Sequence, residues 1–192
     1  AINDVADLYS LAHLLKYDSV HRTFDAQVTT NVNSLVIDGK AIEYTQESNI
    51  ENLTWKDCDV VIEASGKFLS KTDLEQHITA GAKKVILAAP SNGGEVKMVV
   101  LGVNDEIIDS KDTLLSNASC TTNSAAPMVQ LIDQNFGVEQ AYITTVHSYT
   151  KDQSLHDTPH KDLRRARAGA LSIIPTTTGA AKALSKIFPH LE

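Results

Sequence analysis

The sequence has few cysteines and no long apolar run. Only Cys58 and Cys120 occur among its 192 residues. Two thiols do not make a disulfide framework, and no signal-peptide pattern stands at the start, so we expect free thiols and a cytoplasmic location. No apolar run approaches the roughly 18 residues of a membrane helix, so we expect no membrane partner.

An excess of basic residues is also missing. Lys and Arg number 17 against 24 Asp and Glu, which gives a net charge of −7, and the basic residues are scattered except in "HKDLRRARAG". A nucleic-acid partner therefore has little support. With 42% apolar and 21% charged residues, the composition is that of an ordinary globular protein of one domain or two small ones. The chain begins with "AIND", which is typical of the end of a buried strand, so we expect a fragment.

Strand and helix patterns alternate through the first part of the chain. A helical period in "LYSLAHLLKY" follows "AIND", and the strand-like runs "DAQVTT" and "SLVI" precede Asp38-Gly39, a hairpin signal. The apolar runs "DVVIEAS", "KKVILAAPS" and "KMVVLGV" accompany a helical pattern, "SKTDLEQHITAG", that stops at Gly81. This order favours parallel strands with right-handed crossovers, and hence an α/β doubly wound sheet.

The pattern changes after Cys120. A helical pattern is followed by an expected strand, "VEQAYITTVHSYT", and then by a polar, basic loop over residues 151–169 without a clear period. Long loops inside compact domains are usually functional. A threonine run, Thr176 to Thr178, then precedes an amphipathic helix.

Cys120 lies between the short apolar run "DTLLS" and this helical pattern. A thiol in the first turn of a helix meets free backbone N–H groups and the positive end of the helix dipole, which favour the thiolate. His147 follows 27 residues later, and a Cys/His pair is the minimal activated nucleophile. The alternative is a cysteine that acts as a small apolar side chain and a histidine that lies on the surface. We assign that structural role to Cys58.

Anion-binding residues accompany the candidate nucleophile. Hydroxyl residues cluster near it in sequence, and Gly179 opens a helix whose N–H groups can hold an anion. Arg164, Arg165 and Arg167 make a phosphorylated substrate plausible, although a solvated basic loop explains them equally well.

Asp4 ends the first strand. In dinucleotide-binding units, an acidic residue at such a strand end accepts hydrogen bonds from the ribose, about 20 residues after a Gly-rich loop that this sequence lacks. A helix N-cap is an equally good explanation for Asp4.

Four motifs in register resemble those of the glyceraldehyde-3-phosphate dehydrogenases of the bacterial and plastid type: "SNASCTTN", "TTVHSYT", "PHKDLRRARAGA" and "IIPTTTGAAKA". The resemblance runs essentially from end to end and includes "KYDSVH", "EASGKF" and "GAKKVILAAPS". It implies a Rossmann-like dinucleotide-binding domain over residues 1–117, without its first strand and Gly-rich turn. Residues 118–192 would be the first part of an α+β catalytic domain, so that both ends of the family's chain are missing.

The resemblance implies a role for each matching residue. Cys120 would add to the aldehyde of glyceraldehyde 3-phosphate, and His147 would be the base that assists hydride transfer to NAD. Inorganic phosphate would then attack the thioester to give 1,3-bisphosphoglycerate. Substrate and phosphate would be bound by Ser119, Thr121, Thr150, Arg165, Thr178 and Gly179. The NAD cofactor would be contacted by Asn3, Asp4, Ser65, Gly66 and Phe68. No metal is implied, and the loop 151–169 would line a neighbouring subunit's cofactor pocket in a homotetramer.

Departures from the family pattern leave alternatives open. Ser48 stands where an arginine near the adenine is usual, Ala88 replaces a common serine, and Ser124 replaces a frequent second cysteine. An erythrose-4-phosphate dehydrogenase shares the Cys/His site, and a non-catalytic fragment or binding module would share the fold. A thiol hydrolase would fit the Cys/His pair but not "EASGKF" or Asp4. Without the Gly-rich turn, we expect the 192 residues alone to be inactive.

Overall fold

The computed structural model describes residues 1–191, so Glu192, the expected end of the second domain, lies outside the described residues. Contacts divide the described chain into two compact units. The first contains Ala1–Met98 and Ile107–Asn117, and the second contains Val99–Glu106 and the residues from Ala118 onward.

The first unit is an α/β structure, as predicted. Its elements are β1 (Ile2–Asn3), α1 (Leu8–Lys16), β2 (Tyr17–Asp18), β3 (Arg22–Thr23), β4 (Val28–Asn31), β5 (Ser34–Ile37), β6 (Lys40–Thr45), β7 (Val60–Glu63), α2 (Lys71–Thr79), β8 (Lys84–Leu87), β9 (Lys97–Met98) and β10 (Leu114–Ser116). Asp7 caps α1 by accepting a hydrogen bond from the Ser10 N–H. A capping box between Ser70 and Asp73 begins α2. Both caps satisfy N–H groups that have no partner inside the helix.

The predicted parallel sheet has the strand order β7-β8-β10-β9, and all its pairs are parallel. Leu74 of α2 and Val85 and Leu87 of β8 are completely buried in its core. Only two residues of the expected strand "KMVVLGV" form β9. Two residues after the end of β9, the side chain of Asn104 accepts the Val100 N–H at 2.8 Å.

A second sheet, of order β1-β6-β5-β4, is mixed rather than purely parallel. Strand β1 pairs with β6 in parallel, whereas β4, β5 and β6 form an antiparallel meander. The predicted hairpin at Asp38-Gly39 is confirmed, because Ile37 pairs with Lys40 across this two-residue turn.

The second unit contains α3 (Cys120–Phe136) and α4 (Ala180–Ile187), followed by a 3-10 turn at Pro189–Leu191. The strand expected over residues 138–150 is wrong, because this segment has no regular secondary structure. The alternating side chains of this segment do not form a buried face, since Tyr142 is 88% exposed and Val146 is 91% exposed. A strand needs both a hydrogen-bonding neighbour and a buried face, and sequence alternation supplies neither. The polar loop 151–169 is irregular, as predicted.

The turn at Asp38-Gly39 offers a test of the hairpin. The φ angles of Asp38 and Gly39 are 47° and 79°, and a Cβ added at Gly39 would meet nothing within 4 Å. We therefore expect Gly39→Ala to lower the free energy of unfolding by about 1 kcal/mol through backbone strain alone. Gly39→Asn should cost less, because asparagine tolerates the left-handed region. Denaturant unfolding followed by the fluorescence of Trp55, the single tryptophan, measures both losses. Equal losses for the two variants would contradict this explanation.

Candidate active site

The chain turns sharply between β10 and α3. Asn117 still donates its N–H to the Leu87 carbonyl at 2.9 Å, and the next residue, Ala118, is left-handed with a φ of 57°. This conformation costs a residue other than glycine about 1–2 kcal/mol. Ser119 then caps α3 by accepting the Thr122 N–H at 3.0 Å, so Cys120 is the first helical residue. The predicted placement of the thiol at a helix N-terminus is therefore confirmed, on a strained turn of the kind that clusters at functional sites.

His147 faces the sulfur of Cys120. Its Nε2 atom lies 3.4 Å from Cys120 Sγ, and its Nδ1 atom lies 2.7 Å from the Ser148 carbonyl oxygen. Because a carbonyl only accepts, Nδ1 carries a proton and donates it to Ser148. Nε2 is thereby directed to the sulfur, where it can accept the thiol proton.

The surroundings of Cys120 and His147 favour a thiolate on the cysteine and an imidazolium on the histidine. The hydrogen bond with His147 is the largest influence on the pKa of Cys120, which lies below its usual value. Partial burial opposes this shift, and the N–H and hydroxyl of Thr121 support it. The Ser148 carbonyl and, next, the Cys120 sulfur raise the pKa of His147. Each partner stabilises the charged form of the other, which is the ionisation state that a cysteine nucleophile needs.

The remaining hydroxyls of this region have structural partners. The Ser119 hydroxyl lies 2.7 Å from the hydroxyl of buried Thr122, in addition to its role as the cap. The Thr150 hydroxyl donates to Gln153 Oε1 at 3.2 Å. The Thr178 hydroxyl accepts the Ala180 N–H at 3.2 Å, next to Gly179, the N-cap of α4. The structure thus brings Thr121 to the sulfur, whereas Thr150 and Thr178 bond within their own segments.

Arg165 differs from the other arginines of its loop. Its side chain is 19% exposed, whereas those of Arg164 and Arg167 are 57% and 69% exposed. The Arg165 guanidinium contacts the carboxylates of Asp152 and Asp162 and donates to the Thr177 carbonyl at 3.3 Å. It therefore connects the loop 151–169 to the threonine run before α4. The solvated-loop explanation holds for Arg164 and Arg167 but not for Arg165.

Asp152 and Asp162 were not predicted as part of the site. In the sequence, the only indication of them is that each aspartate follows a lysine directly, in "TKDQ" and in the basic cluster "HKDLRRARAG". Their carboxylates fix the direction of a guanidinium that would otherwise be a flexible surface cation.

Asn3 and Asp4 lie at the end of β1 in the first unit. Asn3 Oδ1 accepts from the Glu47 N–H and the Thr45 hydroxyl, both at 2.9 Å, and its amide donates to the Glu47 carbonyl. The exposed Asp4 carboxylate accepts the nearby Ala6 N–H at 2.9 Å, and the Asp4 backbone carbonyl accepts the Tyr44 hydroxyl at 3.1 Å. Because Asp7 is the cap of α1, the explanation of Asp4 as a helix cap is wrong.

Ser65, Gly66 and Phe68 follow the carboxyl end of β7. Gly66 has a φ of 72°, and Phe68 is half-buried against the core with the Lys67 ammonium 4.9 Å from its ring. Dinucleotides bind at the carboxyl ends of parallel strands in open α/β sheets. An exposed carboxylate after β1 and a glycine turn after β7 fit such a cofactor.

Among the described residues, no group of three or more His, Cys, Asp or Glu side chains could hold a metal ion. None of the helices among residues 1–191 is both long and apolar enough to cross a membrane.

Comparison with known proteins identifies similar sequences along the whole chain. Residues 1–71 match the family model "Glyceraldehyde 3-phosphate dehydrogenase, NAD binding domain", and residues 119–192 match the C-terminal domain of the same family. The glyceraldehyde-3-phosphate dehydrogenase of Geobacillus stearothermophilus is 51% identical over 195 residues, which cover 100% of this chain and 58% of the relative. The enzyme of the same name from Thermotoga maritima is 52% identical over 97% of this chain and 56% of its own length. The chain thus spans a little more than half the length of these curated relatives.

The Cys120–His147 pair predicts selective alkylation. In the complete protein that carries this chain, iodoacetamide at mildly acidic pH should label Cys120 before Cys58, since the Cys120 thiol has a lowered pKa and is exposed, whereas Cys58 is only partly exposed. His147→Asn should slow the labelling of Cys120 at that pH, and the difference should disappear at alkaline pH, where the thiol ionises without help. His156→Asn, at an exposed histidine of the following loop, is the control. Peptide mass spectrometry gives each rate, and preferential labelling of Cys58 would overturn the assignment.

Proposed function

Because the chain belongs to the glyceraldehyde 3-phosphate dehydrogenase family, we propose that the complete protein oxidises glyceraldehyde 3-phosphate with NAD and inorganic phosphate. The observation that carries this proposal is the 3.4 Å contact between Cys120 Sγ and His147 Nε2 at the start of α3. The exposed sulfur is accessible to a substrate. The relatives that bear this enzyme's name match over the entire chain, which supports the substrate and the cofactor.

The pair performs two proton transfers in the proposed reaction. The Cys120 thiolate attacks the aldehyde carbon, and the proton on His147 Nε2 moves to the new alkoxide, which gives a thiohemiacetal. Neutral Nε2 then takes the hydroxyl proton back while a hydride leaves the same carbon, so that two electrons depart and a thioester remains. NAD supplies the hydride acceptor when it is bound.

Inorganic phosphate completes the proposed cycle. A phosphate oxygen attacks the thioester carbon, the Cys120 thiolate leaves, and the product is the acyl phosphate 1,3-bisphosphoglycerate. Two anions, the substrate phosphate and the attacking phosphate, must then be bound. We assign their binding to Ser119, Thr121, Thr150, Arg165, Thr178 and Gly179. Arg165 supplies the positive charge in this group, and its three polar partners direct its fork-shaped donors.

Further parts of the proposal concern the organisation of the complete protein. Residues 1–117 would bind the dinucleotide through Asn3, Asp4, Ser65, Gly66 and Phe68, and residues 118–192 would begin the catalytic domain. The loop 151–169 exposes Leu155 and Leu163 by 65% and 81%, which suits a subunit contact in a homotetramer. A cytoplasmic location agrees with two free thiols. We assign activity to the complete protein and none to these 192 residues alone.

The role of Arg165 can be tested by its phosphate dependence. Oxidation of glyceraldehyde 3-phosphate by the complete protein should require inorganic phosphate or arsenate. Arg165→Ala should raise the phosphate concentration needed for half-maximal rate about tenfold or more, which corresponds to the loss of a charge-assisted hydrogen bond. Arg167→Ala, at an arginine paired with exposed Asp157, should have little effect. Rapid NADH formation without any oxyanion, with erythrose 4-phosphate as the better substrate, would instead identify an erythrose-4-phosphate dehydrogenase.

Asp4 predicts a preference for NAD over NADP. Its exposed carboxylate would repel the 2′-phosphate of NADP, and neighbouring Val5, 69% exposed, offers that phosphate no side-chain donor. We expect Asp4→Asn to raise the ratio of kcat/KM for NADP to that for NAD about tenfold, because one repulsive charge is removed. Asp25→Asn removes an exposed carboxylate of the same unit and controls for net charge. A wild-type preference for NADP, or an equal gain in the control, would refute the role of Asp4.

A further inference from the structure

A buried polar network lies between the residues before β7 and helix α2. Trp55, Glu63 and His77 are 8%, 5% and 3% exposed. The indole Nε1 of Trp55 lies 2.9 Å from His77 Nδ1, and His77 Nε2 lies 3.1 Å from Glu63 Oε2. The catalytic steps above use none of these three side chains. Three polar side chains are costly to bury, so their arrangement requires an explanation.

Trp55 fixes the tautomer of His77. An indole N–H can only donate, so His77 Nδ1 must be the acceptor and cannot carry a proton in this bond. Neutral His77 therefore carries its proton on Nε2 and donates it to Glu63. The group that faces Nε2 must in turn be a hydrogen-bond acceptor.

Glu63 transmits this orientation to the turn after β7. Its second oxygen, Oε1, accepts the Ser65 N–H at 2.7 Å and the Ser65 hydroxyl at 2.5 Å. The Ser65 hydroxyl oxygen accepts the Lys67 N–H at 3.1 Å, across Gly66 with its positive φ. Burial opposes ionisation of Glu63, but the bonds from His77 and Ser65 outweigh it and hold the pKa of this carboxyl below its usual value. One buried carboxylate thus holds the whole Ser65–Lys67 turn.

We propose that Trp55, His77 and Glu63 are positioning residues for the cofactor, because together they set the backbone of the turn that contains Ser65 and Gly66. The inference rests on the proposed function, which assigns cofactor contacts to these two residues. The chain Trp55 to His77 to Glu63 to Ser65 runs from the core to an exposed turn. A rigid turn binds a ligand without first losing conformational entropy, so disorder of this turn should weaken NAD binding and leave the aldehyde site unaffected.

At position 63, only a carboxylate can accept hydrogen bonds from both His77 and Ser65. In Glu63→Gln, a carbonyl turned toward Ser65 would point the amide NH₂ at the His77 N–H, so that two donors face each other. With the amide reversed, the Ser65 backbone N–H would lose its acceptor. Glutamine therefore keeps the shape of the side chain but cannot keep both hydrogen bonds.

The direct test is NAD titration of the complete protein with isosteric variants. Glu63→Gln should raise the Kd for NAD about tenfold or more, as expected for the loss of one charge-assisted hydrogen bond, with an unchanged KM for the aldehyde. His77→Leu should raise the Kd for NAD by a similar factor. His77→Gln should bind NAD nearly normally, because its amide oxygen and nitrogen have the spacing of the two ring nitrogens. Leu74→Ala, at a completely buried residue of the same helix, controls for general destabilisation. Equal increases in the Kd for NAD in Leu74→Ala and Glu63→Gln would show that the network has only a structural role.

A double-mutant cycle tests the tautomer argument itself. Trp55→Phe removes the donor that fixes the tautomer of His77. In the double variant, the His77 ring can therefore carry its proton on Nδ1. Its Nε2 atom can then accept a hydrogen bond from the amide of the glutamine at position 63. Glu63→Gln should therefore weaken NAD binding less in the Trp55→Phe background than alone. Losses of NAD affinity that add up, or exceed the sum, in the double variant would contradict the proposed coupling of Trp55 and Glu63 through His77.

Amide hydrogen exchange separates a failure of this inference from a failure of the proposed function. Exchange at Ser65 and Lys67 should be faster in Glu63→Gln and normal in His77→Gln, whatever reaction the protein catalyses. Unchanged exchange in Glu63→Gln would refute the network even in an active enzyme. Altered exchange in a protein that neither binds NAD nor oxidises the aldehyde would refute the proposed function and, with it, the cofactor role of the network.

Discussion

The hydrogen bond between Cys120 Sγ and His147 Nε2 is the interaction on which the candidate active site depends. Three local features act on it: the N-terminus of α3, the strained residue Ala118 before it, and the Ser148 carbonyl that fixes the imidazole. Each favours the thiolate–imidazolium pair or presents the sulfur at the surface. A free thiol is mostly protonated at neutral pH, so an imidazole that takes the proton increases the share of the reactive thiolate.

Carboxylates have an orienting role in both units. In the first unit, Glu63 joins a buried histidine to the turn after β7. In the second, Asp152 and Asp162 contact the Arg165 guanidinium and restrict its direction. The two cases differ in burial, since Glu63 is 5% exposed whereas the side chain of Asp152 is 52% exposed. Loss of the buried carboxylate would leave a histidine proton unpaired in the core, whereas water can replace the exposed one.

Sequence patterns predicted the features that depend on neighbours in the chain. The parallel strands β7 and β8, the hairpin at Asp38-Gly39 and the position of Cys120 all follow from local period or turn chemistry. The expected strand over residues 138–150 failed because alternation does not guarantee a partner strand. The suggestion that Asp4 caps α1 failed because Asp7 takes that position, and the start of the helix depends on backbone angles that the composition does not reveal. The Trp55–His77–Glu63 network was missed because its members lie 22 and 14 residues apart and only the fold brings them together.

In the proposed reaction, Cys120 carries the acyl group. The most direct measurement is mass spectrometry of the complete protein, quenched in acid after mixing with glyceraldehyde 3-phosphate and NAD in the absence of inorganic phosphate. We expect a phosphoglyceroyl thioester on the peptide that contains Cys120, and its loss when phosphate is added before the quench. An unmodified Cys120 peptide together with stoichiometric NADH, or an adduct on Cys58, would contradict this role of Cys120.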